Sequence, residues 1–463
     1  MSVGTHVIHP TTDQPGNRTV PAGKLGVNGP GLALLGILVI TATIGFENPL
    51  PALSIGVTLQ LQDVLLLGSL GWIAVQWLFV PGFRLVRTPL DLPMLTFSAV
   101  TLFSTLMSIV RASVDIDLAI EGIRIFSYYL TFFVVTNSVK QRTQLIFLLN
   151  GTFLLATLVA MAIIVQYVLG DSVKLVQGSV DPLNKAFGTV TRIVPPGHSI
   201  LLVAFVTSLC ILVVERFKPM GLLRYLQCGL MGIAFLMTFL RSYWAASIVV
   251  LFFAASLLKG VDRRRLIGWG VVAMIPAVLA LLVVFAAPNL GLSKLVEASW
   301  ARLSTVNRRA FTGGDSNYNY RRLENEYAFG AIAARPVIGG GIGAAYRPLD
   351  PRLDGIDGNR IEDRTTFIHN GHLKVLLQAG LLGYLSLMWL SVAFLLRGYR
   401  NWRRVPDDRM RAVMLGFTLV YLIVLLAAGA NSIFMQWSWI SVLGIMMGVN
   451  EVIVRQGQGD VVR

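Results

Sequence analysis

The sequence predicts an all-α polytopic membrane protein of about 12 transmembrane helices with one large outer loop, and three observations predict it. Hydrophobic residues make up 55% of the chain against 14% charged, with a mean hydropathy of +0.68, which leaves too few charges to cover a soluble globule of this length. Apolar runs of about 20 residues, the length that spans a bilayer, recur along the chain. Basic residues fall in alternate connections between those runs.

Residues 1–30 are rich in Gly, Pro, Thr and Asn without apolar periodicity and are expected to form a disordered cytoplasmic tail. They are not expected to be a cleavable signal, because the run from Gly31 is long and has no small-residue cleavage site. Nine spans are expected within residues 31–287: Gly31–Phe46, Val64–Val80, Leu90–Val110, Leu118–Val135, Leu145–Leu169, Ser199–Val214, Leu222–Leu240, Tyr243–Leu258 and Leu266–Ala287. Residues 288–374 form the large loop, expected to carry the active site. Residues 375–454 hold Val375–Leu396, Ala412–Ala428 and Phe434–Val454, and residues 455–463 return to the cytoplasm. A helix satisfies its own backbone in lipid, which is why each run is read as helical. Cys210 and Cys228 lie inside predicted spans, so no disulfide is expected.

The connections assigned to the cytoplasm hold 17 Lys and Arg residues, from Arg84 and Arg87 to Arg409 and Arg411. The short outer connections hold 5: Arg111, Lys174, Lys185, Arg192 and Arg241. This asymmetry places the large loop outside the cytoplasmic membrane. It also accounts for much of the net charge of +15 without a nucleic-acid partner, since cytoplasmic arginines face anionic lipid headgroups.

Candidate functional groups gather on that outer side. Phe367-Ile368-His369-Asn370-Gly371-His372-Leu373 places two imidazoles where the span Val375–Leu396 begins. A neutral histidine titrates near working pH and can take a proton from a sugar hydroxyl. The H-x-x-H spacing of His369 and His372, with Asp363 nearby, lacks the Glu of a zinc-binding H-E-x-x-H, and no metal is expected. Arg241 occupies a hairpin turn too tight to leave the membrane surface, where it either snorkels or binds an anion. Glu121 and Arg124 lie three apart on one helix face and are expected to pair. Tyr320-Arg321-Arg322-Leu323-Glu324 opens a predicted helix running to Ala334, stopped by Pro336. Arg321 and Arg322 are planar forks suited to a diphosphate, or else solvated loop charges. Gly339, Gly341 and Gly343 permit some close backbone approach, without the Lys-Ser/Thr of a nucleotide loop.

Taken in order, Leu240-Arg241-Ser242, Arg322-Leu323-Glu324 with Ala328, Pro336-Val337-Ile338-Gly339-Gly340-Gly341-Ile342-Gly343, and His369-Asn370 with Leu373, Gly380 and Gly383 resemble the O-antigen ligase and O-antigen polymerase family. The chain differs from that family's usual pattern at Glu326 and His372, where aromatic residues are common. The resemblance implies a glycosyltransferase-C type helical enzyme in the bacterial cytoplasmic (inner) membrane, working on its periplasmic face without metal or other cofactor. The implied donor is a glycan on a polyprenyl diphosphate, and the acceptor is the lipid A core or another glycan. In that reading His369 is the base, Arg241 and Arg322 are catalytic at the diphosphate, and Asn370 orients the imidazole or the loop. Arg321, Arg124, His372, Gly339, Gly341 and Gly343 line the substrate site.

Two alternatives remain open at this point. A lipid-linked glycan transporter would also be polytopic, but would be expected to show midplane charges and an inverted repeat, neither of which is evident. A repeat-unit polymerase shares the ligase motifs and differs in its acceptor.

Overall fold

The structure, a computed structural model, describes residues 29–43, 53–54, 58–170, 179–182, 191–215, 221–268, 270, 316–350 and 365–459. Most of the tail, the ninth span beyond its first residues, and loop positions 288–315 and 351–364, with Asp363, lie outside them. So do Lys174, Lys185, Arg216 and Lys218.

The described chain is mostly helical. Seven segments are long and apolar enough to cross a bilayer: α2 (Leu61–Phe79), α3 (Asp91–Val110), α4 (Ile116–Ser127) continued by α5 (Thr131–Ser138), α6 (Arg142–Leu169), α11 (Gly371–Asn401), α12 (Asp408–Ala427) and α13 (Trp437–Gly459). Four shorter apolar helices join them: α1 (Gly29–Thr43), α7 (His198–Val214), α8 (Gly221–Met237) and α9 (Arg241–Leu257). Each predicted span other than the ninth coincides with one of these. The expectation of a purely helical chain needs a small correction, because two short antiparallel hairpins occur in the connections. Leu53–Ser54 pairs with Thr58–Leu59, and Ser179–Pro182 pairs with Thr191–Val194. Such pairing satisfies backbone groups that no helix serves there.

The predicted span Leu118–Val135 is interrupted by a 3-10 turn, Tyr128–Leu130, between α4 and α5. Its partner is α13, which is buried along its length and forms the centre of the bundle. Gly444 and Gly448 explain the close approach. A Cβ at Gly444 would stand 2.3 Å from the Thr131 hydroxyl, and one at Gly448 2.7 Å from Val135 Cβ. Small residues four apart let helix backbones meet in a membrane, where packing rather than hydrophobic expulsion drives association. At the other extreme α2 turns Leu67, Trp72, Trp77, Leu78 and Phe79 outward, as a lipid-facing helix must.

Outside the bundle, α10 (Ser316–Ala334) lies against the start of α11. After α10 the chain passes through Pro336–Gly343, a strap wedged between α3 and α11. There α11 breaks at Gly380, whose φ is 64°. The break frees two helical rungs, and the strap takes up all four groups. Gly340 N donates to Leu377 O (2.7 Å) and Gly341 N to Gln378 O (2.9 Å), while Leu381 N and Leu382 N donate to Pro336 O (2.8 Å) and Val337 O (3.2 Å). Ser104 Oγ of α3 donates to Gln378 O (2.7 Å) and to Ile338 O, and Ile342 N donates to Thr105 Oγ1 (3.1 Å).

Candidate active site

The helical face of α10 that meets α11 carries Tyr320, Glu324 and Ala328, spaced by four and all buried. Ala328 packs with Tyr346, Ile368 and Leu373, which anchors the segment leading to His369. Glu324 is 1% exposed, and its Oε2 lies 3.0 Å from His369 Nδ1 and 3.4 Å from the His369 amide. A carboxylate accepts, so Nδ1–H donates to it and the lone pair of the neutral ring sits on Nε2. The rings of Tyr320 (5.8 Å) and Phe367 (5.0 Å) stand edge-on to the imidazole and fix its plane. Glu324 Oε1 is buried without a hydrogen-bond partner among the described residues. The hydrogen bonds of the carboxylate among those residues thus come from His369 alone.

Asn370 was expected to orient the imidazole or the loop, and it performs the second of these. As the N-cap of α11 its Oδ1 accepts from His372 N (3.1 Å) and Leu373 N (3.2 Å), serving two of the donors a helix start leaves open. The imidazole is oriented by Glu324. Gly371 donates its amide to Ala428 O (2.7 Å), and a Cβ there would stand 2.7 Å from Asn431 O. Asn431 in turn donates Nδ2 to Ser242 Oγ (2.7 Å) and to Ala427 O (2.9 Å). Ser242 follows Arg241, the first residue of α9. Hence the Arg241 turn and the His369 turn are tied through one asparagine, although they are 128 positions apart in sequence. Phe239, at a φ of 51°, makes the tight turn that starts α9.

Four expectations are corrected by geometry. His372 does not face a sugar site: its Nε2 meets Leu425 O (3.0 Å), its Nδ1 meets the Tyr384 hydroxyl (3.4 Å), and its ring packs against Phe434. Leu425 belongs to the last turn of α12, whose carbonyls lack helical partners, so His372 caps that helix. Arg322 lies about 200° around the helix from Glu324 at 100° per residue, is exposed, and pairs with Glu326 at 3.0 Å. Arg321, three residues before Glu324, shares its face and is half-buried. Arg124 pairs with Asp63 of α2 (3.9 Å) instead of Glu121, because Asp63 is buried and already fixed by Gln60 N and the Tyr128 hydroxyl. Finally, the close approach at Gly339, Gly341 and Gly343 is made to protein. Cβ atoms on them would stand 2.6 Å from Gly380 N, 2.7 Å from Ser108 and 3.2 Å from Leu118.

Sequence reasoning missed the roles of Glu324, Asn431 and Ser242. The spacing of Tyr320, Glu324 and Ala328 signals a buried face and would have revealed the first. A lone Asn in the turn after Ala428 carries no such signal.

Compared with curated proteins the chain finds no match. Residues 226–388 match the family model described as O-Antigen ligase, a stretch that contains Arg241, Glu324 and His369 together with the strap and the broken helix. Over that segment the chain is similar to the O-antigen ligase family, and the similarity suggests a membrane enzyme of glycan transfer.

Proposed function

We propose that the protein is a glycosyltransferase that moves a glycan from a polyprenyl diphosphate to an acceptor sugar hydroxyl on the periplasmic face of the bacterial cytoplasmic membrane, in cell-surface polysaccharide synthesis. The observation that carries this reading is the Glu324–His369 pair at 3.0 Å, held in a turn that Asn431 ties to the Arg241 turn. His369 Nε2 takes the acceptor proton as the hydroxyl oxygen attacks the anomeric carbon. The bond from that carbon to the diphosphate breaks and its electron pair leaves with the phosphate oxygen. Glu324 stabilises the imidazolium, and Arg241 with Arg321 stabilises the departing diphosphate. Arg321 takes the place first given to Arg322 because it shares the face of Glu324. Attack opposite the diphosphate inverts the anomeric centre. Guanidinium forks supply the charge that a divalent metal supplies elsewhere, so transfer is expected to persist in EDTA.

The deciding experiment assays His369→Ala and His372→Phe on one lipid-linked donor at matched expression. General-base help is worth about 10²–10⁴-fold, so His369→Ala should nearly abolish transfer while donor binding persists. His372→Phe should keep turnover and lose stability, because it removes a helix cap and not a reacting group. An active His369→Ala would remove the base from the mechanism. Offering purified lipid A core and a second lipid-linked repeat as rival acceptors separates ligase from polymerase.

A further inference from the structure

We propose that Arg347 is an oxyanion-binding residue of the same site, a contact for a substrate's phosphate or carboxylate; this rests on the glycan-transfer reading above. Arg347 is 4% exposed, and its Nε and Nη1 are buried without a hydrogen-bond partner among the described residues. Among the described residues, other part-buried arginines are compensated: Arg124 has Asp63, Arg224 has Glu215 and Arg397 has Glu451, while Arg455 donates to the carbonyls of Thr136 (3.0 Å) and Val139 (2.7 Å). A buried guanidinium with idle donors is costly unless an anion joins it.

The position of Arg347 makes that anion a substrate group. Its neighbour Tyr346 donates its amide to Thr365 O (3.1 Å) and its hydroxyl to Phe367 O (3.0 Å), and its ring packs on Ala328 and Ile368. Three residues further on, Asp350 accepts from the Tyr327 hydroxyl of α10 at 2.9 Å. The segment carrying Arg347 is therefore pinned both to the helix that supplies Glu324 and to the strand of chain that supplies His369. The backbone that carries Arg347 is thus fixed before any ligand arrives, and less ordering remains to oppose binding. The idle donors on Nε and Nη1 lie on different edges of the guanidinium plane, and each offers a charge-assisted hydrogen bond to a phosphate or carboxylate oxygen. In the sequence Arg347 was one of many loop arginines, whereas burial singles it out.

The test uses the full-length protein in lipid nanodiscs, with inorganic pyrophosphate and glucuronate as probes, and compares wild type with Arg347→Met and Arg347→Lys by ligand-induced thermal shift. One probe is expected to raise the melting temperature of wild type, with affinity falling about ten- to a hundredfold in Arg347→Met, the value of one or two charge-assisted hydrogen bonds. Pyrophosphate identifies the donor diphosphate as the source, and glucuronate an acidic sugar. Arg347→Lys should recover part of the affinity. Without ligand, Arg347→Met should melt no lower than wild type, since it removes an uncompensated charge. Equal binding of both probes by wild type and Arg347→Met would overturn the proposal, and so would a lower melting temperature with unchanged affinities, which would mean a protein partner. Binding is read without turnover, so Arg347-dependent pyrophosphate binding in a protein that transfers no glycan would sink the transfer reading and keep the anion site.

Discussion

Glu324 and His369 are chemically unequal partners: one is a buried carboxylate that accepts from both the ring and the amide of a single histidine, the other a ring that commits its Nδ1 to that carboxylate. Glu324→Gln keeps an oxygen that can accept from Nδ1 but removes the charge that steadies the imidazolium. The turnover number should therefore fall, by up to the 10²–10⁴-fold worth of general-base help, with KM for donor little changed. Steady-state kinetics on the purified variant would check this, and an unchanged turnover number would reduce the carboxylate to packing. At this scale the sequence disclosed the histidine, because an imidazole at the start of an apolar span is conspicuous. It misjudged which of two adjacent arginines faces inward, because Arg321 and Arg322 differ only by 100° of helix rotation, and that rotation is fixed by what Tyr320 and Glu324 bury.

The elements that hold the pair are α10, the strap and the first turns of α11, and their junction is the break at Gly380. A Cβ at Gly380 would stand 2.3 Å from Val337 O in a backbone conformation with φ of 64°. Gly380→Ala should thus cost more than the ~1–2 kcal/mol that a left-handed Cβ costs by itself. Thermal unfolding in detergent would show the loss, and a wild-type melting temperature would mean that the helix can run straight. The glycine cluster announced a close approach in the sequence, but its partner was invisible there. A two-rung break in a helix is specified by a segment some 40 residues away, not by the local apolar run.

For the molecule as a whole, composition and the spacing of apolar runs made the class legible, because a bilayer imposes one solution on the backbone. Which helix would be central was not legible, since mean hydropathy does not follow burial: α13 at 1.5 is wholly buried and α3 at 1.6 is not; the Gly444–Gly448 spacing selects α13. The distribution of basic residues predicts that α10 lies outside the cytoplasm. Ala333→Cys, on an exposed position of α10, should react with an impermeant thiol reagent in intact spheroplasts. Cys210 and Cys228 are buried and should give little background. Labelling only after lysis would invert the orientation. The strap also has a meaning in time. Ser104 of α3 is synthesised 234 residues before Ile338, the group it finally meets. Until then Thr105 and Ser108 can bond back to carbonyls of their own helix, at 2.8 and 2.9 Å, so α3 can enter lipid at once. The freed rungs of α11 have no such local refuge, so the bend at Gly380 forms only when the strap docks, late in biogenesis. A full-length chain held before that step would keep Pro336–Gly343 undocked from α3 and α11, with the carbonyls of Leu377 and Gln378 still bonded inside their own helix.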